Sequence, residues 1–324
     1  MRNPANPFTD PGQVRGHLYV SAGRLARRSS ALHRARVRGR HAAEVIADLA
    51  AGAAVTSAPV IADIGCGRGT TTCLLAGRLP QARIIAIDLS AALLTTVRNR
   101  LPAAARAGAA RADFHRLPIR DGACDLAVAA FCLYHSRSPG QVIGEIARCL
   151  SQGATAVIAV KSEDSYRELD LLMAASGLDP HAPGRPSLYE TAHSGNIEHL
   201  ATASLDVRQV VHDTHAFTFP ALADLAEYLA TSPKYELPAA LTSAPATLAD
   251  ELRRRLPDEP FTMTSVVTYL VARHTTATPG AGTTSSVTPT RAPGSAPGPT
   301  TPGSPAWSRQ HACPGSCRHQ TEST

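Results

Sequence analysis

Between residues 60 and 161 the chain alternates short apolar runs with stretches of helical periodicity, and this pattern limits its possible folds more than any other feature. The runs are 60–64, 83–88, 110–113, 125–131 and 154–161; the helical stretches are 70–79, 91–101 and 139–150. The runs are too short for helices and lack strict polar alternation, so they read as strands buried on both faces. A strand, a helix and a second strand in this order form a parallel unit, because a crossover of that length returns the chain to the same end of the sheet. Ser90 and Ser138 stand where they would cap the second and third helices. Beyond residue 161 follow a helix (166–176), an alternating strand (207–219), helices at 221–231 and 239–256, and a long β-branched run at 261–274. The whole predicts an α/β, doubly wound, seven-stranded and mostly parallel sheet with an antiparallel last strand.

Composition sets the boundaries. The chain has 324 residues, 44% of them apolar, enough for a core of about 200–250 residues. Its net charge of +6 suggests a nucleic-acid partner until it is partitioned. Residues 1–41 hold nine Arg and one acid, Asp10, whereas 42–274 hold 20 basic and 24 acidic residues. The basic character is therefore local, and nucleic acid is not the expected partner. From Thr275 onward Thr, Ser, Pro, Gly and Ala dominate, a composition with too little apolar surface to offset ordering entropy. We divide the chain into a basic N-terminal arm with lid helices (1–50), a catalytic domain (51–274) and a disordered tail (275–324). His311, Cys313, Cys317 and His319 cluster in that tail, but so short a loop is a poor tetrahedral cage, and no metal site is expected. No run approaches the roughly 18 apolar residues of a membrane span, and Cys66, Cys73, Cys124, Cys132 and Cys149 lie in core-like segments without CxxC spacing. Both observations predict a cytoplasmic, thiol-reduced protein with no membrane contact.

The chemistry concentrates where strands end. The first strand runs into Asp63-Ile-Gly65-Cys-Gly67-Arg-Gly69, whose glycines permit positive φ and close approach of backbone to a ligand at the carboxyl end of the sheet. The third glycine comes one residue too early for the dinucleotide fingerprint, which argues against a pyrophosphate binder. The register fits a ligand whose amino-acid portion lies over the loop, with Asp63 available to an ammonium group. The second strand ends at Asp88, followed by Leu89, where a carboxylate can accept from both ribose hydroxyls. The third ends at Asp113-Phe114, an acceptor for an exocyclic amine beside an aromatic edge.

In the segments ADIGCGRG (62–69), AIDLS (86–90), ARADFHRLPIRDGACDLAVA (110–129), FCLYH (131–135) and TSVVTYLVARH (264–274), the chain resembles the class I S-adenosylmethionine-dependent methyltransferases, specifically the small-molecule, type 11-like group. The resemblance covers about 42–274. It implies a Rossmann-like core that binds S-adenosylmethionine, with Asp63, Gly65, Gly67 and Gly69 around the methionine portion, Asp88 on the ribose, Asp113 with Phe114 on the adenine, and Phe131 near the methyl. Cys66 and Arg68 depart mildly from the pattern and are expected to point outward.

Such an enzyme mainly has to align a nucleophile and exclude water. If the acceptor is a hydroxyl, His135 is the best-placed base and Tyr134 the alternative; packing of the loop is the other reading of both. The resemblance also implies a lid formed before the core, with Tyr19 against the cofactor, and an acceptor pocket built partly from 176–206, where Tyr189, His193 and His199 are candidates. The arm's arginines could instead attract an anionic substrate, a phosphate-bearing carrier or RNA, or form a solvated face. Methylation of RNA or protein and a non-catalytic adenosyl-ligand binder are the alternatives to a small-molecule acceptor; FCLYH is not the NPPY-type motif that would favour a macromolecule.

Overall fold

The computed structural model describes residues 6–275, so the tail and its Cys/His cluster lie outside the described residues. In chain order these residues form α1 (Pro11–Gln13) and a π-helical turn (Val14–Leu18), α2 (Ala22–Ala35), β1 (Arg36–Arg38) and α3 (Ala42–Ala53). The alternating core follows as β2 (Val60–Ile64), α4 (Thr70–Arg78), β3 (Arg83–Asp88), α5 (Ala91–Arg100), β4 (Ala107–Arg111), β5 (Cys124–Ala130), α6 (Pro139–Cys149) and β6 (Leu150–Lys161). The chain continues through α7 (Arg167–Ala175), α8 (Ile197–Thr202), β7 (Asp206–Phe219), α9 (Leu222–Leu229), α10 (Ala239–Ser243), α11 (Pro245–Arg253) and β8 (Phe261–Arg273).

The strands form one sheet in the order β1-β7-β8-β6-β5-β2-β3-β4. Strands β2 to β6 pair in parallel, and β8 runs antiparallel between β6 and β7. The seven anticipated strands are all present with the last one antiparallel, and β1 adds an eighth, antiparallel to β7. Successive strand residues bury on opposite faces, as the double winding requires. Leu126 and Val128 of β5 join Ile46, Ile61 and Leu75 beneath α3 and α4, whereas Ala127 and Ala129 join Ile64, Val142 and Ile143 on the other side.

Three details differ from the sequence reading. Strand β4 lies at Ala107–Arg111 and not 110–113, because it pairs with β3 from Ile84↔Ala107 to Asp88↔Arg111, which leaves Asp113 and Phe114 beyond the sheet edge. The helix anticipated at 239–256 is two helices, and Pro245 starts the second at a position where its missing N–H costs nothing. Ser90 caps α5 by accepting from Leu93 N at 3.3 Å, but Ser138 makes no side-chain cap on α6; Ser136 Oγ accepts from Ser138 N at 2.9 Å instead.

The arm is folded onto the core. Helix α2 packs against α9 and β7, and Asn6 Nδ2 donates to Ser187 O and Glu190 Oε1, each at 2.9 Å. Ser90 Oγ donates to Tyr19 O at 2.7 Å, so one hydroxyl both caps α5 and tethers the arm. Two of the arm's arginines make exposed ion pairs, Arg34 with Glu227 and Arg40 with Asp48.

Candidate active site

Because β2 to β6 are parallel, their carboxyl ends share one edge, where the arm covers a cavity of about 920 Å³. At the first of these ends the glycines divide their work. Gly65, Gly67 and Gly69 all have positive φ, at 63°, 56° and 75°. A Cβ on Gly65 would collide with Cys132, and one on Gly69 would meet Val97 of α5 at 3.0 Å, so both positions also need glycine for packing. A Cβ on Gly67 would find only Leu25 of the arm, at 3.9 Å. Gly65 and Gly67 line the cavity and Gly69 does not. Cys66, expected to point outward, is buried with Ala86, Leu94 and Val97, and Arg68 lines the cavity with its Nε buried and unpartnered.

The three carboxylates stand around this loop. Asp63 is 1% exposed and Oδ2 accepts from the Thr72 hydroxyl at 2.5 Å; burial raises its carboxyl to about 6. Asp88 accepts from Gly67 N and Ser90 N, each at 2.9 Å, which ties the end of β3 to the glycine turn; burial raises its pKa as well. The Leu89 N–H adds a third bond, which leaves the carboxylate one further acceptor position. Asp113 Oδ1 lies 2.7 Å from His115 Nδ1, and His115 Nε2 lies 2.8 Å from Ser136 Oγ. This Asp-His-Ser chain fastens the loop after β4 to the loop after β5. Ser136 is 1% exposed and does not line the cavity, so the chain is no nucleophile relay. Leu89 and Phe114 line the same end.

Tyr134, His135 and Tyr19 meet where the arm closes. Tyr134 is buried, stacked on Phe8 at 5.3 Å and edge-on to Tyr189 at 5.0 Å; burial holds its phenol well above the usual value. His135 Nδ1 lies 3.0 Å from Phe8 O and Nε2 lies 2.9 Å from the Tyr19 hydroxyl. Burial depresses its pKa to about 4, so the ring is neutral near pH 7. Both nitrogens anticipated for acid–base work are thus engaged by the arm. Tyr19 is itself raised to about 12 by burial and is no ready base.

The far half of the cavity was not legible beforehand, apart from Phe131 and Tyr189. Lys161 ends β6 and donates to the Tyr166 hydroxyl. Its ammonium lies 4.4 Å from the Tyr166 ring centre, 5.6 Å from Tyr189 and 5.9 Å from Phe131. Arg28 of α2, Tyr228, His215 and the Asp170–Lys234 pair line the same walls. His193 and His199 do not line the cavity. A signal existed in residue usage: the chain has only two Lys and seven Tyr, and both Lys and six Tyr line this cavity.

Comparison with known proteins agrees with the geometry. Residues 62–158 match the family model described as a methyltransferase domain. A malonyl-[acyl-carrier protein] O-methyltransferase from Legionella pneumophila is 26% identical over 162 residues, 50% of this chain and 56% of that one. A trans-aconitate 2-methyltransferase from Methylobacterium nodulans is 31% identical over 138 residues, 42% of this chain and 51% of that one. The crystal structure of geranyl diphosphate C-methyltransferase from Streptomyces coelicolor aligns over 71% of this chain and 78% of that one, at 14% identity and a TM-score of 0.42. The chain spans about half the length of the curated relatives it matches. The matched segment carries the glycine turn and all three carboxylates, so residues 62–158 are similar to the methyltransferase domain of the class I S-adenosylmethionine-dependent enzymes.

Proposed function

We propose that this chain methylates a small-molecule acceptor held in the cavity beneath its arm, with S-adenosylmethionine as donor. The observation that carries the reading is the union of two chemically different halves in one enclosure, carboxylates and a glycine turn at the ends of β2 to β4, aromatic rings and cations at the ends of β5 to β7.

The residues present fit the cofactor. Asp63 is a buried carboxylate lacking a cationic partner among the described residues, which suits an ammonium group. Asp88 retains acceptor capacity for a ribose hydroxyl, and Gly67 leaves the backbone open to close approach. Phe114 and Leu89 offer apolar surface to a base. When bound, the cofactor supplies a methyl group on a sulfonium, an electrophile needing no acid catalysis. The chain's own residues then have three tasks. Asp63 and Asp88 hold the donor in place, the arm from Asn6 to Tyr19 excludes water, and Phe131 with the rings around Lys161 shapes the space for the acceptor.

The curated relatives are named for malonyl-[acyl-carrier protein] and trans-aconitate, each of which carries a carboxylate, and we carry an acidic acceptor to this chain. An RNA acceptor is less well supported, since Arg24 and Arg28 turn inward to Thr231 O and Arg34 and Arg40 are paired with acids. Calorimetry with S-adenosylhomocysteine and with NAD tests the donor. Binding of the first, lost by at least a hundredfold in Asp88→Ala, supports the reading; binding of NAD alone overturns it.

A further inference from the structure

Lys161 and Arg28 face one cavity with no acid beside either, unlike two other inward cations. Arg185 pairs with Asp179 and Lys234 with Asp170, whose other oxygen accepts from Tyr235 at 2.9 Å. Lys161 has only the Tyr166 hydroxyl and three aromatic faces. Arg28 donates to Thr231 O, its Nε is buried without a partner, and neither residue makes an ion pair among the described residues. Burial, with the repulsion of Arg28 added to it, holds Lys161 down to about 7. Leaving like charges together without a counter-ion is costly in a low-dielectric enclosure, and an anion from outside the chain would remove that cost.

The backbone confirms that the Lys161 end is built and not incidental. Among the described residues two non-glycine positions have positive φ, Phe131 at 56° and Tyr166 at 67°. A bulky side chain is strained in that backbone conformation. Both belong to the ring set around Lys161. Each is locked by a backbone bond, Phe131 N to Ala159 O and Tyr166 N to Thr264 O, both 2.8 Å. The strain holds two rings where they cage one ammonium.

Resting on the methyltransferase reading above, we propose that Arg28 and Lys161 form an anion subsite that anchors a carboxylate of the acceptor, with the Tyr166 hydroxyl as the neighbouring donor. A planar guanidinium on one side and an ammonium on the other suit the two oxygens of a carboxylate. The cofactor also carries a carboxylate, so the same chemistry has two sources. The sheet favours the acceptor: Lys161 ends β6, and β5 separates it from β2 and Asp63, two strand spacings or about 10 Å away. The subsite selects acids over their neutral esters and leaves another atom of the acceptor to meet the methyl.

Only two lysines exist in the chain, so side-chain NMR of full-length protein labelled with 15N-lysine gives two ammonium signals, assigned with Lys234→Arg. With S-adenosylhomocysteine bound, the chain is titrated with acetate, malonate, citrate and trans-aconitate, and with trimethyl trans-aconitate as the neutral control. We expect the Lys161 signal to move and its titration to rise by at least one pH unit with a polycarboxylate, and to stay still with the ester. Arg28→Gln and Lys161→Met should weaken that polycarboxylate at least tenfold while S-adenosylhomocysteine affinity stays within twofold. Arg28→Lys and Lys161→Arg, which keep charge and fold, should lose less. A Lys161 signal unmoved by every acid overturns the subsite, as do variants that lose S-adenosylhomocysteine affinity, which would assign the carboxylate to the cofactor. Wild type that fails to bind S-adenosylhomocysteine instead sinks the methyltransferase reading beneath it.

Discussion

The Tyr19 hydroxyl lies 2.9 Å from His135 Nε2, and the same ring reaches Phe8 O through Nδ1 at 3.0 Å. A carbonyl can only accept, so Nδ1 carries the proton and Nε2 accepts from Tyr19. One neutral imidazole thereby clasps two points of the arm. His135→Ala should release residues 6–19, so that limited proteolysis of the arm quickens at least tenfold and S-adenosylhomocysteine binds more weakly. Tyr19→Phe, which breaks one of the two bonds, should do less. A His135→Ala protein with an unchanged arm and unchanged cofactor affinity, but slow turnover, would return the residue to the role of base.

The pH dependence of stability follows from the same burial. His135 titrates near 4 when folded and near 6.5 when unfolded, so the unfolded chain binds more protons between those values. The clasp's contribution is complete above about pH 6.5 and declines as the pH falls toward 4, at up to about 1.4 kcal/mol per pH unit for one group. Asp63 acts in the opposite sense, since its raised pKa favours proton uptake by the folded state between 3.8 and about 6. The measurable quantity is therefore the difference between wild type and His135→Gln in urea unfolding at pH 7.5, 6 and 5. That difference should shrink as the pH falls, and a constant difference would contradict a buried neutral imidazole.

Asp63 makes a separate prediction for ligand affinity. Below about pH 6 its carboxyl is protonated and attracts an ammonium group poorly. S-adenosylhomocysteine affinity should accordingly rise from pH 5 to 7, with protons released on binding near pH 5.5, seen by calorimetry in buffers of different ionisation heat. Asp63→Asn should weaken binding at pH 7.5 and flatten the profile. A flat wild-type profile would remove Asp63 from the ammonium site.

The residues that could be found in advance are those whose chemistry is local in the chain. Asp63 and Asp88 end apolar strands beside turns, so strand, turn and carboxylate are read from a dozen contiguous residues. Asp113 is legible although the strand lies earlier than its pattern suggests, since it stands at the end of the strand in one register and two residues beyond it in the other. The acceptor half has no such contiguity. Arg28, Lys161 and Tyr166 come from separate segments, and only the register of β6 against β8 and the folding down of α2 bring them to Phe131 and Tyr189, which the resemblance alone indicates. The left-handed turns at Phe131 and Tyr166 carry no glycine to announce them. Strand β1 was missed for a related reason: Arg36-Val37-Arg38 has no strand pattern and forms because it meets the edge of β7.

The glycine turn offers the sharpest separation of folding from binding. Gly65 and Gly67 have similar φ, so alanine costs each about 1–2 kcal/mol of backbone strain. At Gly65 the added methyl also collides with Cys132, which should raise the loss to about 2–5 kcal/mol. Thermal melts should therefore show Gly65→Ala well below Gly67→Ala, and Cys132→Gly should restore part of the difference by removing the atoms in the way. The order should invert for ligand affinity per unit of lost stability. Gly67 N anchors Asp88 and its Cα faces the space toward Leu25, where a methyl fills room a ligand needs but no protein atom occupies. Gly67→Ala should thus stay folded and lose S-adenosylhomocysteine affinity, and equal melting temperatures for the two variants would show that the turn yields where the packing says it cannot.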